Sequence, residues 1–468
     1  MDLPAQHTAL PVIIQGGMGV AVSSWRLANA VASRGQMGVV SGVALERVLV
    51  CRLQEGDAGG HLRRALAAFP DQATANRVLE RYFRPDGLSA PGVYAPVPLF
   101  SLNPDADLVN LAICGAFTEI WLAKEGHSGP VGINMLEKIQ LPTLPVLYGA
   151  LLAGVDWVLM GAGIPKDIPR HLKALCQHQG ADLNIQISEG TAVSPFIPPA
   201  WTVGLPPLRR PGFLAIISSD VLAASLARVD GVDGFIVEAP TAGGHNAPPR
   251  DKGAEPDGTP IYGPRDVPNL ERLRKLGKPF WLAGGCASIE RLAASQAEGA
   301  VGVQVGTAFA FCAESGMDPT IRRAAVKAVL AGTARIVTSG TASPTGFPFK
   351  VVEGPGVPVV GPRKRVTCSL GYLRSAYRKP DGAVGWRCPS EPEAQWIAKG
   401  GEPAATAGRT CVCHGLLSTI GHAHVHADGS FEGPLLTAGD ALLELGDLFP
   451  ADGSDYTAAD VLERVLGR

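Results

Sequence analysis

Charge is scarce in this chain, and neither sign dominates. Charged residues make up 18% of 468 positions and the net charge is −2, so the basic excess that a nucleic-acid surface needs is missing. Uninterrupted apolar runs are also missing. The most apolar long stretch, 144–164, is broken by Pro145, Asp156 and several glycines, and reads as a helix running into a strand, with no membrane span. Residues 1–7 lack a basic segment followed by an apolar one, so no leader and a cytoplasmic setting are expected. No Asn-Gly hairpin signal interrupts the pattern, which favours parallel strands. Nine cysteines, an odd number, sit in a chain without an export signal. A reducing compartment follows, where cysteine clusters suggest metal or chemistry before disulfides.

What is present is apolar and full of turns. Hydrophobic residues reach 46%, which argues against disorder despite 57 glycines and 39 prolines. Short apolar runs alternate with helical patterns from residue 11 to about 305. The runs fall at 11–15, 37–41, 131–134, 157–160, 183–187, 213–217, 234–237, 279–283 and 301–305. A (β/α)8 TIM barrel takes eight strands, so either 183–187 or 213–217 is extra. Residues 42–129 interrupt the alternation, with helical patterns at 60–84 and 104–126 around a Pro/Gly-rich segment. They read as a helical insertion, either a lid over the strand ends or a peripheral decoration. The expected architecture is α/β: a barrel over 1–345 with that insertion, and a C-terminal extension, 346–468, packed on it.

The chemistry concentrates at strand ends, where α/β folds bind ligands. Glu238 ends one strand, and the loop behind it presents Gly243, Gly244 and His245. The two glycines let backbone approach something flat. Gly284 and Gly285 end the next strand and Gly306 and Thr307 the last. Their backbone N–H groups suit a phosphate, and Ser288 at the following helix start suits the same role. Gln15, Gly16, Gly17, Met18 and Gly19 end the first strand. They lack the third glycine and the distant acid of a dinucleotide fingerprint, so a Rossmann reading fails.

Taken in order, Gln15–Gly19, Val131–Asn134, Ala242–His245, Ala283–Cys286 and Val303–Phe309 resemble the nitronate monooxygenase (2-nitropropane dioxygenase) family across roughly residues 10–320. That family also includes FMN-dependent enoyl-acyl-carrier-protein reductases and the trans-acting enoyl reductases of polyketide and polyunsaturated fatty-acid synthases, and the segment 42–129 and the C-terminal extension resemble its longer members. The resemblance implies FMN in a TIM barrel. Gly17, Met18 and Asn134 would touch the isoalloxazine and Gly243 and Gly244 would lie at the flavin, with Gln15, Gly16 and Gln186 as further cofactor-binding residues. Gly284, Gly285, Gly306 and Thr307 would hold the phosphate, and His245 matches the active-site histidine. The Asn-Ala-Pro-Pro-Arg sequence after His245 departs from the family's glycine-rich continuation.

Two reactions follow from that resemblance. His245, titrating near neutrality, would take a proton from a nitroalkane before the nitronate is oxidised with O2. Alternatively NAD(P)H would reduce FMN for an enoyl thioester, with an acyl carrier protein as partner docking on Arg209-Arg210 or Arg363-Lys364-Arg365. A flavin-binding protein without turnover is a third reading, which His245 argues against. An IMP-dehydrogenase-like barrel would need a cysteine on a mobile loop between strands, and none is there. In the extension, Cys368, Cys388, Cys411 and Cys413 fit no common zinc-ribbon spacing; buried thiols and a metal site, zinc or an iron–sulfur cluster, stay open. His422, His424 and His426 alternate, and are expected as exposed polar decoration, while Cys286 and Cys312 are expected as packing residues.

Overall fold

The computed structural model describes residues 10–188, 190–251, 253–256, 258–357, 367–425, 429–450 and 454–467. Eight parallel strands form its centre: β1 (Ile13–Gln15), β2 (Gly38–Ser41), β3 (Val131–Leu136), β4 (Trp157–Gly161), β5 (Gly212–Ile217), β6 (Gly234–Glu238), β7 (Phe280–Ala283) and β8 (Gly302–Val305). Each pairs with its neighbour in chain order, and β8 pairs with β1. The ring closes at Ile14 and Met37, where Gln15 N–H donates to Met37 O at 2.9 Å and Met37 N–H to Ile13 O at 3.1 Å. This is a TIM barrel. Its interior is filled by Ile14, Met37, Val39, Trp157, Leu159, Leu214, Ile236 and Trp281, all buried. Gly212 is required there, because a Cβ would stand 2.3 Å from the Trp157 ring.

The extra strand is 183–187. It belongs to Ala181–Ile187, which pairs antiparallel with Gly190–Phe196. Ala376 on strand Ser375–Arg378 joins Ile187, and that strand forms a hairpin with Val384–Arg387. These four strands make a separate outer sheet. Both hairpins run against the all-parallel expectation. The second turns at Lys379-Pro380-Asp381-Gly382, an Asp-Gly signal in the sequence.

The segment 42–129 is less of an insertion than its length suggests. Ala106–Ala123 packs against the helices Trp25–Ala32, Leu45–Gln54 and Thr143–Leu152. It is therefore the barrel's own helix between β2 and β3. It is long and apolar enough to cross a membrane by composition, with a mean hydropathy of 1.4, but 72% of it is buried among neighbouring helices. Asp156, at the foot of β4, locks that helix down. Its carboxylate accepts from Lys124 Nζ at 2.6 Å, from Val131 N–H at 2.9 Å and from Arg209.

The division at residue 345 does not follow the packing. Ala458–Leu466, near the chain's end, lies against Trp25–Ala32 and Ile289–Ala297, the helices after β1 and β7. That is the position of the eighth barrel helix. Thr457 caps its start, with Asp460 reciprocating, and Gly467 ends it at φ +68. The extension is thus one long excursion between β8 and its helix. Such an excursion leaves from the carboxyl ends of the strands, which is why it covers that face.

Candidate active site

A cavity of about 220 Å³ opens over the carboxyl ends of the barrel strands. β1 delivers Gly16, Gly17 and Met18; β3 delivers Asn134; β6 delivers Glu238 and the loop through Gly243, Gly244 and His245. β7 contributes Gly284, Gly285 and Cys286, and β8 contributes Gln304, Gly306 and Thr307. The floor is glycine because side chains would not fit. A Cβ on Gly17 would lie 2.2 Å from the Asn134 Cβ. Gly285 sits at φ +70 with nothing within 4 Å of an added Cβ, so its backbone faces open space.

Three expected residues stand elsewhere. Gln15 is fully buried behind the first loop, where Nε2 donates to Ser23 Oγ at 2.8 Å and Oε1 accepts from Val39 N–H at 2.9 Å. Its amide holds the loop's shape and does not line the cavity. Gln186 is exposed on the outer sheet opposite Thr191, because its strand left the barrel. Ser288 is spent as a helix cap, accepting from Arg291 N–H at 3.3 Å. Cys286 does reach the cavity wall, whereas Cys312 is buried packing.

The roof is the extension. Tyr372, Leu373, Val412, Cys413, Leu416, Leu435 and Leu436 face the glycine floor. Hydrogen bonds clamp this roof to the loops beneath. Gly244 N–H donates to Thr437 Oγ1 at 2.9 Å, Gly439 N–H to Thr307 Oγ1 at 2.9 Å, and Lys350 N–H to Gly244 O at 3.0 Å. From 42–129 only Val43 lines the cavity, so the expected lid comes from the other end of the chain. Sequence reading offered no signal for these roof residues. Apart from Cys413, singled out there only as a thiol, they are ordinary leucines, a valine, a tyrosine and a threonine, distant in sequence from the glycine motifs.

His245 is held from two sides. Its Nε2 pairs with Ser343 Oγ at 2.6 Å, and its ring meets Phe349 edge-on at 4.8 Å. Ser343 was not foreseen. Burial, with the nearby Lys138 ammonium, pushes the imidazole down to about 3. The near-neutral titration expected of it is therefore lost. Lys138 itself is brought down to about 7 by burial, offset in part by Glu137. Its Nζ lies over the Phe347 ring and has no hydrogen-bond partner among the described residues. Glu238, at the cavity wall, is pushed up to about 7 by burial alone. The cavity wall thus keeps a neutral imidazole and a carboxyl poised near neutrality, with the Lys138 ammonium behind it within electrostatic reach of His245.

These residues fit a flat ring system carrying a phosphate. The glycine floor admits the ring, and the buried Gln304 Oε1, which has no partner among the described residues, lies at the cavity wall. The Gly284-Gly285 turn ending β7 and the Gly306-Thr307 turn ending β8 leave backbone N–H groups for an anion. Among the described residues no group of three or more His, Cys, Asp or Glu is placed to hold a single metal ion. His422 is buried and pairs with Glu55 Oε2 at 3.3 Å, so it is no surface decoration. His426 and the basic run 363–365 lie outside the described residues.

Residues 210–342, from just before β5 to beyond β8, match the family model described as nitronate monooxygenase. No curated protein matches the chain. Among solved structures it is similar to FabK from Thermotoga maritima, at 17% identity and a TM-score of 0.46, covering 99% of this chain and 94% of that one. It is also similar to a nitroalkane oxidase from Streptomyces ansochromogenes, at 15% identity and a TM-score of 0.48, covering 98% and 95%. The enoyl reductase domain of MlnA from Bacillus amyloliquefaciens gives 11% and 0.37, over 74% and 65%.

Proposed function

Starting from a nitronate monooxygenase-like, flavin-dependent oxidoreductase, we propose that the flavin is FMN and that the substrate is a small nitronate, taken as the anion. The observation that carries this reading is His245, neutral and fixed by Ser343, beside a Lys138 ammonium that lacks a partner. When bound, the flavin supplies the electron acceptor. The chain's own residues bind and orient. Gly17, Gly243 and Gly244 admit the ring, and the turns at Gly284, Gly285, Gly306 and Thr307 receive the phosphate. With Nε2 accepting from the Ser343 hydroxyl, His245 donates to a substrate oxygen from Nδ1. Lys138 supplies the countercharge that a bound anion needs.

The base role is weaker than expected. With its imidazole near 3, protonating His245 at pH 7 costs roughly 5 kcal/mol, four pH units at about 1.4 kcal/mol each. Glu238, near 7, is the better-matched proton acceptor on this wall. A nitronate needs no proton removed, and a neutral nitroalkane does. The expected preference is therefore for the preformed anion.

The roof favours a second reading in one respect. Leu373, Leu416, Leu435 and Leu436 offer an apolar surface suited to an acyl chain, as an enoyl thioester would present. In that reaction NAD(P)H is the reductant and Glu238 returns a proton.

Anaerobic stopped-flow decides between them. Propyl nitronate and NAD(P)H are mixed separately with the flavin-loaded protein, and bleaching of the flavin's visible band is followed. Bleaching by nitronate alone is expected. Bleaching by NAD(P)H, with colour restored by an enoyl thioester, would replace this reading with the reductase.

A further inference from the structure

Four cysteines that this chemistry does not use meet in the extension. Cys368 lies in a loop, Cys388 follows the strand Val384–Arg387, and Cys411 and Cys413 flank the first residue of the helix Val412–Thr419. All four are unpaired. Their chain neighbours tie the segments together. Gln395 Nε2 donates to Thr367 Oγ1 at 2.8 Å, Ser369 Oγ pairs with His414 Nε2 at 3.0 Å, and Ser390 Oγ donates to Thr410 O at 2.7 Å. The sulfurs share one neighbourhood as a result. Cys413 lies within electrostatic reach of the other three, Cys411 within reach of Cys368 and Cys388, and Cys388 within reach of Cys368.

Each sulfur is also met by a backbone donor. Gly371 N–H donates to Cys368 Sγ at 3.3 Å. The N–H groups of Ser390, His414 and Leu373 face Cys388, Cys411 and Cys413. A neutral thiol is a weak acceptor and does not require such a partner. Sulfurs carrying metal charge do, and donors of this kind tune iron–sulfur centres. A cation stands by as well. Arg374, anchored on Gly371 O and Phe100 O, is half-buried beside Cys368, Cys388 and Cys413.

We propose that Cys368, Cys388, Cys411 and Cys413 ligate an iron–sulfur cluster. A single zinc ion pulls four sulfurs onto one point at about 2.3 Å each. No set among the described residues closes that far. A polynuclear cluster holds its thiolates apart around a larger body, and four free thiols gathered from three segments into one neighbourhood supply its usual ligand set. Cys413 lines the cavity wall beside Leu373 and Val412, so the cluster would border the flavin site. The proposal does not depend on which substrate that site takes.

The test is metal and sulfide analysis of the full-length protein. It is purified anaerobically and then treated with ferrous iron and sulfide under reductant, with EPR at low temperature after dithionite. Iron and acid-labile sulfide in equal amounts and a reduced-cluster signal are expected. Cys388→Ser and Cys411→Ser should each lose the iron and the signal while flavin absorbance remains. Zinc without sulfide, no metal after reconstitution, or full iron retained in both variants would overturn the proposal. Should the variants prove insoluble, the stoichiometry and EPR of the unaltered protein still decide it.

Discussion

Replacing Lys138 with methionine separates the binding role of that ammonium from any role in stability. The side chain keeps most of its length and its apolar stem, and the ammonium goes. A unit charge about 6 Å from a bound anion, at an effective dielectric near 20, is worth roughly 3 kcal/mol. At pH 7 the wild-type lysine, brought to about 7, is half-ionised. That and solvent screening reduce the loss to about 1.5 kcal/mol, or roughly tenfold in kcat/KM. The expected result is a tenfold fall for propyl nitronate at pH 7 that shrinks toward nothing as the wild-type lysine deprotonates above it. Stability should move the other way. A base whose folded value is depressed binds fewer protons folded than unfolded between about 7 and its ordinary 10.5. Stability therefore rises with pH across that window, and the charged form is a burden at neutrality. Lys138→Met should accordingly raise the Tm of the flavin-free protein at pH 7. Equal loss of kcat/KM at all pH values, or a lowered Tm, would refute the reasoning.

Glu238→Gln tests the other poised group. Wild-type Glu238 binds more protons folded than unfolded between its ordinary 4.5 and about 7, so stability falls as pH rises through that window. The Gln variant should match wild type near pH 4 and exceed it near pH 8 in chemical denaturation, and equal curves would count against a cavity-facing carboxyl. Gly285→Val places a β-branched residue at φ +70, at a backbone cost of about 1–2 kcal/mol, and fills open cavity. The purified variant should fold yet carry no flavin, and normal flavin content would remove Gly285 from the site. Asp156→Ala strips a buried carboxylate from Lys124 and Arg209 and should cost about 3–5 kcal/mol by urea denaturation. Burial pulls the Asp156 value upward, but the Lys124 ammonium and the hydrogen bonds outweigh it and hold it below the ordinary range. Its contribution should vanish as pH falls through that lowered value. Undiminished stability in the Ala variant would show the cluster to be ornamental.

The glycine signals were the legible part of this chain because their physics is local. A strand end without Cβ atoms announces a close approach wherever it occurs, and Gly17, Gly243, Gly284 and Gly306 all line one cavity. Gln186 misled because an apolar run of strand length is the same inside a barrel and in an outer sheet. Its exposed alternation, with Leu183, Ile185 and Ile187 turned to one side, marked a half-buried strand instead of a barrel stave. The roof was illegible for a different reason. Leu416 and Leu435 reach the cavity only because the extension folds back over it, and nothing in their own surroundings encodes that. The protonation of His245 was likewise set from far away, by Lys138 and by the burial that Phe349 and the roof impose.

The helix Ala458–Leu466 closes the outer ring from the last stretch of the described chain. On a ribosome it emerges after the eight strands and the roof have been made. Until then the helices after β1 and β7 face water where their partner belongs, and the residues destined for Ala458, Val461, Leu462 and Val465 have no cover. The roof is therefore synthesised before the wall around the cavity is complete. Closure of the barrel's outer ring thus waits on a helix separated from its last strand by about 150 residues of chain.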